Sequence, residues 1–449
     1  MVETSGNEQM SKTMMGTNSL GQQLPGLLVC GLLATGILPA TMLAAGWQSH
    51  EVVQLNGSAA PIRLPARSQI ITESWNRIVR GPYLVFMPEK QRLMMMVSCD
   101  VPLVPFLLDS DDFGETWSAP QRMPLDEGEG HKTGFGVSLT YLDQGRVIWS
   151  VEHGGRYFSQ DYGQTWSDSL PIPPGPGNQT LYQWDPYLVD RDPQTGKVTR
   201  VWETGYDVEL SHMQPRAYIR SSGDAGHTWS KPVQVHEWKD ANEVALFRTQ
   251  NGNILAGCRT RARNFDLSRP WTDHHAGLGI SISPDNGQTW SELNILYNWG
   301  RHHPSMVLLP DGHIVMTYVV RKGYVKTADG YPQYGIEAVV SRDHGKTWDF
   351  DHKFMLSVWK ASRKDDYSFW AACQSTSSVL LPDGSILTAF GTGFRARDKL
   401  GTDPTKPFPR DIGLVKWQVN DKGLNGETAI ADASFDSDLR NVFDPNPSH

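Results

Sequence analysis

The chain is poor in cysteine, in charge and in helical periodicity, and each shortage closes off a class of explanation. Only four cysteines occur in 449 residues, and Cys30 lies inside an apolar N-terminal run. The other three, Cys99, Cys258 and Cys373, cannot form a fully paired disulfide framework, and none has zinc-site spacing. Buried cysteine is therefore expected, with no metal and no cofactor. Charged residues make up 20% of the chain, with a net charge of −8. That balance argues against a protein that tracks a nucleic-acid backbone. It does not exclude a small acidic ligand, which a few local arginines can hold. Long amphipathic helical periods are missing, and short apolar runs ending in Gly, Asp or Pro take their place.

Long apolar runs are also scarce. The one of note is LPGLLVCGLLATGILPATMLAA at residues 24–45, after a polar leader whose positive charge is Lys12. Small residues at its end fit a signal peptide cleaved after Ala44 or Ala45. An uncleaved anchor fits the same span, since its length approaches that of a transmembrane segment. Either way the remainder is expected outside the cytoplasm, secreted or periplasmic, with any membrane attachment running through this segment alone.

What the chain has in quantity is turn formers (42 Gly, 29 Pro) and tryptophan (16). Much of this belongs to a repeat. The pattern Ser-x-Asp-x-Gly-x-Thr-Trp occurs from Ser110, Ser159, Ser222, Ser283 and Ser341, with its aspartates 49, 63, 61 and 58 residues apart. Each copy reads as a β-turn: the carboxylate accepts turn amides, Gly supplies positive φ, and Trp buries its ring between sheets. A calcium site is the sharper alternative. One carboxylate per turn falls well short of the six to eight oxygens calcium takes. Between the turns lie six apolar hairpins, such as NEVALFRTQNGNILAGCR (242–259) and HPSMVLLPDGHIVMTYVVR (303–321). Six four-stranded units of this length predict an all-β, six-bladed β-propeller over residues 47–420, with 1–46 as leader or anchor and 421–449 as a polar tail. His50–Leu55 is available as a ring-closing strand.

These repeats resemble the Asp-box (BNR) repeats of the sialidase superfamily, over roughly residues 75–420. The resemblance implies a glycoside hydrolase that removes a terminal, acidic sugar from a glycan. A trio of arginines would hold the sugar's carboxylate, an Asp would act as acid/base, and a Tyr nucleophile would be activated by a Glu. RGPYLV resembles the first-arginine motif and points to Arg80. EVALFRTQNGNILAGCR resembles the segment with the catalytic Glu and second arginine, pointing to Glu243 and Arg259. Asp100 stands for the acid/base Asp. The family's Tyr position holds Ser375 here, which leaves Tyr367 as the nearest tyrosine. Gln333 stands about where the third arginine belongs, so Arg321 is the substitute.

Aligning the blades on their turns puts His303 on the axis as well, as a sugar ligand or acid/base. Each residue also has a plain structural reading: Glu243 and Arg259 as an ion pair, Arg80 as partner of a blade carboxylate, His303 as a hydrogen-bonded core histidine. Two other functions fit the same fold. One is a propeller glycosidase or lyase acting on another polysaccharide. The other is a non-catalytic glycan-binding propeller, which the displaced tyrosine favours.

Overall fold

The computed structural model describes residues 46–100, 103–124, 134–152, 154–209, 214–260, 276–298, 300–321, 333–360, 375–394, 410–419 and 430–431. Residues 24–45, Cys373 and Tyr367 lie outside them. The chain divides into a unit Met1–Thr41 and a unit Met42–His449, and the latter carries every described element.

Turn-bounded apolar runs of five to twelve residues pair with their sequence neighbours, because hairpins close the shortest loops first. Blade I is Val79–Met87, Arg92–Cys99, Val104–Ser110 and Gln121–Arg122. Blade II is Gly136–Asp143, Arg146–Val151, Gly155–Ser159 and Leu170–Pro171. Blade III is Leu188–Arg191, Val198–Glu209, Gln214–Ser222 and Val233–Gln234. Blade IV is Ala241–Arg248, Ile254–Thr260, Gly277–Ser283 and Asn294–Tyr297. Each of these four is a separate antiparallel sheet. Blade V (Arg301–Leu308, Ile314–Val320, Gln333–Ser341, Phe354–Lys360) and blade VI (Thr376–Leu380, Ile386–Phe394, Arg410–Trp417) are joined into one ten-stranded sheet.

The join is made by the start of the chain. Ala59–Ile70 pairs with Arg410–Trp417 and is the fourth strand of blade VI. Gln48–Asn56, which includes the expected closing strand His50–Leu55, pairs with Ala59–Ile70 and touches blade V at Val53–Met355. The closing strand is thus one hairpin arm later than expected. Ile430–Ala431, from the polar tail, pairs with Ile62 and Arg63 of the same arm.

Packing shows the ring as plainly as pairing does. Six buried apolar clusters lie in the six seams between consecutive blades. The seam of I and II, for example, joins Met94 and Met96 to Leu139 and Trp149. The seam of VI and I joins Leu387 and Leu414 to Leu84 and Leu93. The other four occupy II–III, III–IV, IV–V and V–VI. Every blade is therefore covered on both faces, which is how a closed ring protects its sheets.

The repeated turn fastens these seams. In all five copies the Ser hydroxyl donates to the Asp at 2.7–2.9 Å. The Thr amide donates to the same carboxylate at 2.8–2.9 Å. Burial pushes Asp224 up, but the Thr228 and Ser222 bonds outweigh it and hold its pKa at about 2. Each carboxylate is fully engaged by its own turn. The Gly does two things at once. Its φ lies between 79° and 93°, and at Gly163, Gly226 and Gly345 a side chain would collide with the blade before it. A Cβ on Gly163 would sit 2.5 Å from Met94 of blade I, and one on Gly345 2.5 Å from Leu255 of blade IV.

The first strand of every blade is the innermost. Together the six line an axial cavity of about 340 Å³. Short side chains stitch neighbouring inner strands: Leu84 N–H donates to Ser377 Oγ (2.9 Å) and Tyr187 N–H to Thr140 Oγ1 (2.9 Å).

Candidate active site

One end of the ring collects the starts of the first strands and the ends of the second. Here four inner strands carry a one-residue register shift: between Arg80 and Tyr83, Gly136 and Ser138, Ala241 and Val244, and His302 and Ser305. A β-bulge breaks the strict alternation of side chains and re-aims one of them. Glu243 and His303 lie inside their bulges, off the ladder, and Arg80, paired with Ser98, is the last regular residue before its own. His303 adopts φ 62°, a conformation that costs a non-glycine residue energy and that surrounding structure must hold in place. Gly81 (φ +65°) leaves room for Phe135, whose ring would lie 2.7 Å from a Cβ there.

The side chains delivered by these bulges form one cluster. Glu243 is buried, accepts a hydrogen bond from Arg259 Nη1 at 2.5 Å, and lies 3.9 Å from His303 Nε2. The His303 ring meets the edge of Trp184 (centroids 6.2 Å apart), and Trp184 packs on Phe135 at 5.1 Å. Phe135 in turn lies under the Arg80 guanidinium, 5.5 Å from ring centre. Burial lowers the Arg80 pKa to about 10, against the pull of Glu152. Arg80 is therefore still a cation at neutral pH, in a place where a cation is poorly solvated. An incoming carboxylate would relieve that cost through charge-assisted, bidentate bonds.

The remaining expected residues are placed as follows. Arg321, also buried, follows Ile314–Val320 directly and donates its backbone N–H to Gly300 O at 2.9 Å. Ser375 is buried immediately before Thr376–Leu380. Asp100 stands at the rim, half-exposed, with Arg77 Nε on both carboxylate oxygens at 3.0 and 3.1 Å. Tyr367 is outside the described residues. Among the described residues no three His, Cys, Asp or Glu side chains group as metal ligands. Cys99 and Cys258 are buried thiols, with Cys99 pushed up to about 12 by burial.

Two members of the cluster had no role in the sequence reading, although alignment of the blades sets Trp184 and Asp185 in the axial region. Asp185 precedes the inner strand of blade III and lines the axial cavity beside His303. Tyr83 crosses the axis from blade I, its OH donating to Trp184 O of blade III at 2.7 Å. Burial, then Asp185, Glu243 and Glu152, raise the Tyr83 pKa far above that of an ordinary phenol. It is a neutral hydrogen-bond donor that floors the mouth. A signal for both was present. Arg80-Gly81-Pro82-Tyr83 and Trp184-Asp185-Pro186-Tyr187 share Pro-Tyr at the entry to an inner strand. Aligning them would have set Asp185 against Gly81, in the bulge.

The sequence matches the BNR repeat-like domain over residues 47–298 and again over 182–402. The chain belongs to that family. No curated protein sequence matches it. Among solved structures, this BNR propeller is similar to a protein of unknown function from Dyadobacter fermentans. That match has 15% identity and a TM-score of 0.56, covering 83% of this chain and 98% of the other. It is also similar to a Hadza microbial sialidase, with 16% identity and a TM-score of 0.51 over 71% of this chain and 65% of the other. The Trypanosoma rangeli sialidase, solved in complex with sialic acid, matches at 12% identity with a TM-score of 0.51, over 83% and 59%. The chain spans less than two thirds of each sialidase's length. At such identities the likeness concerns the fold, a sialidase-like propeller, and the chemistry must be argued from the residues.

Proposed function

We propose that this BNR propeller is a glycoside hydrolase that removes a terminal acidic sugar from a glycan. The observation that carries the reading is the union of buried cationic arginine and paired carboxylate at one mouth of the ring. Arg80 and Arg259 stand on either side of the His303–Trp184–Phe135 cluster, with Glu243 held by Arg259. Two guanidinium forks suit a planar carboxylate, and Arg321, at the same end of blade V, supplies a third. Holding that carboxylate fixes the sugar ring and presents its anomeric carbon to Glu243. The aromatic edges of Trp184 and Phe135 supply apolar surface for the sugar face. The enzyme needs no cofactor for this, because acid, base and charge clamp are all side chains.

The clamp is tested by removing the substrate's charge. An aryl sialoside and its methyl ester differ only at the carboxylate. Wild-type protein is expected to favour the acid by about 10²-fold or more in kcat/KM, in line with one or two charge-assisted bonds at roughly 1.5–3 kcal/mol each. Arg80→Met and Arg259→Met are each expected to shrink that preference, mainly through KM. Equal turnover of acid and ester would remove the clamp from the account and move the reading toward a neutral-sugar glycosidase.

A further inference from the structure

We propose that Asp185 is the proton donor of this hydrolysis, working across the mouth from Glu243. The inference rests on the hydrolase reading and supplies a group which that reading lacks. Something must protonate the departing oxygen, and Asp100 is engaged at the rim by Arg77.

Position comes first. Asp185 lies where the chain enters the inner strand of blade III, lines the axial cavity, and is buried. Its sequence neighbour Trp184 is in the site already described, between Phe135 and His303. The groups around Asp185 come from three blades. Blade IV contributes Glu243, the Val244 N–H and, behind them, the Cys258 thiol; blade I contributes Tyr83 and blade V His303.

The two carboxyls of the mouth are treated differently. Glu243 has the Arg259 guanidinium at 2.5 Å. Among the described residues, what acts on Asp185 is burial, the Glu243 charge and the Val244 amide, with no cation. Burial first, then Glu243, raises the Asp185 pKa well above the carboxylate range, and the Val244 N–H offsets only part of this. Two neighbouring carboxyls in unequal surroundings separate into an acid that keeps its proton and a base that lacks one. That is the division of labour glycoside cleavage requires.

In the step itself, the bond between the anomeric carbon and the leaving oxygen breaks. Its electron pair goes to the oxygen, which takes the Asp185 proton. A water molecule bonds to the anomeric carbon and gives its proton to Glu243. Proton exchange with solvent then restores both side chains, for a net addition of water across the glycosidic bond.

An acid is needed most when the leaving group is poor. The test compares a disaccharide, whose leaving group is a sugar hydroxyl, with a dinitrophenyl glycoside of the same sugar, whose leaving group departs without help. D185N keeps the side-chain volume and an oxygen for the Val244 N–H. It is expected to lower kcat on the disaccharide about 10²–10⁴-fold and on the dinitrophenyl glycoside less than about tenfold. Should D185N not fold, D185E is expected to show the same selective loss at smaller size.

Independently of any variant, wild-type activity on the disaccharide needs the protonated acid. It is held below the raised pKa and lost as pH rises through it, and the dinitrophenyl substrate lacks that alkaline limb. Equal losses on both substrates, or a selective loss in D100N instead, would overturn the assignment while leaving the hydrolase reading standing. Wild-type protein that cleaves neither substrate would remove the hydrolase reading and this assignment with it.

Discussion

A Glu243→Gln variant is expected to hydrolyse its glycoside about 10²–10⁴-fold more slowly than wild type, with KM within roughly threefold. The bulge between Ala241 and Val244 sets this side chain off the ladder, and Arg259 and His303 flank it. Glutamine keeps the length, the volume and an oxygen for Arg259 Nη1, so ground-state binding should survive. What it loses is the ability to take a proton, and that loss is felt in the transition state. The alternative reading of Glu243 is a plain ion-pair partner of Arg259. Under that reading kcat would hardly change, and the effect would fall on stability. Steady-state kinetics with an unfolding midpoint on the same sample separates the two.

The second large effect lies away from the mouth. Replacing Glu203 by alanine is expected to cost about 3–5 kcal/mol of folding stability, the range for breaking a buried ion pair from one side. Glu203 is bonded by Arg156 of blade II and Arg220 of its own blade, and none of the three is more than 3% exposed. Burial pulls the Arg156 guanidinium down, but Glu203 and Tyr187 more than reverse it, so its pKa lies above the ordinary value. The Trp229 ring of the blade III turn covers Arg156 at 4.6 Å.

Without Glu203, two guanidiniums face each other in a dry seam. In a chain of this size the unfolding midpoint should fall by roughly 5 °C. The exposed pair Arg63–Glu51 (2.7 Å) is the contrast. It is nearly as short a contact, yet Glu51→Ala should cost about 1 kcal/mol or less, because water screens it and replaces it. A Glu203→Ala protein as stable as Glu51→Ala would show that the triad does not hold the seam.

The blade count and register were legible in the sequence because the turn motif is local. Ser, Asp, Gly and Thr satisfy one another within eight residues, so the motif survives as a pattern whatever lies around it. Counting eight residues back from the hairpin turns at Asn251 and Asp311 reaches Glu243 and His303, and the same region of blade I holds Arg80. What counting could not supply was any pairing between distant segments. Ala59–Ile70 finds its partner some 350 residues away across the ring closure, and its alternation of apolar and polar residues is weak.

The Glu203 triad joins blades through residues 17 and 47 positions apart, with no spacing rule to reveal them. Arg77, which occupies Asp100, comes from 23 residues upstream on the opposite side of a hairpin. Bulges leave little mark on hydrophobic period, so alignment of the blades reaches Trp184 and Asp185 without showing which side chain enters the mouth, although the Pro-Tyr shared with Arg-Gly-Pro-Tyr was visible.

The most direct measurement is a structure of the Glu243→Gln protein with a bound sialic-acid analogue. The sugar is expected at the mouth framed by Trp184 and His303, its carboxylate on Arg80 and Arg259, and its anomeric carbon between residue 243 and Asp185. A sugar bound elsewhere on the ring, or bound there with its carboxylate turned to solvent, would contradict it.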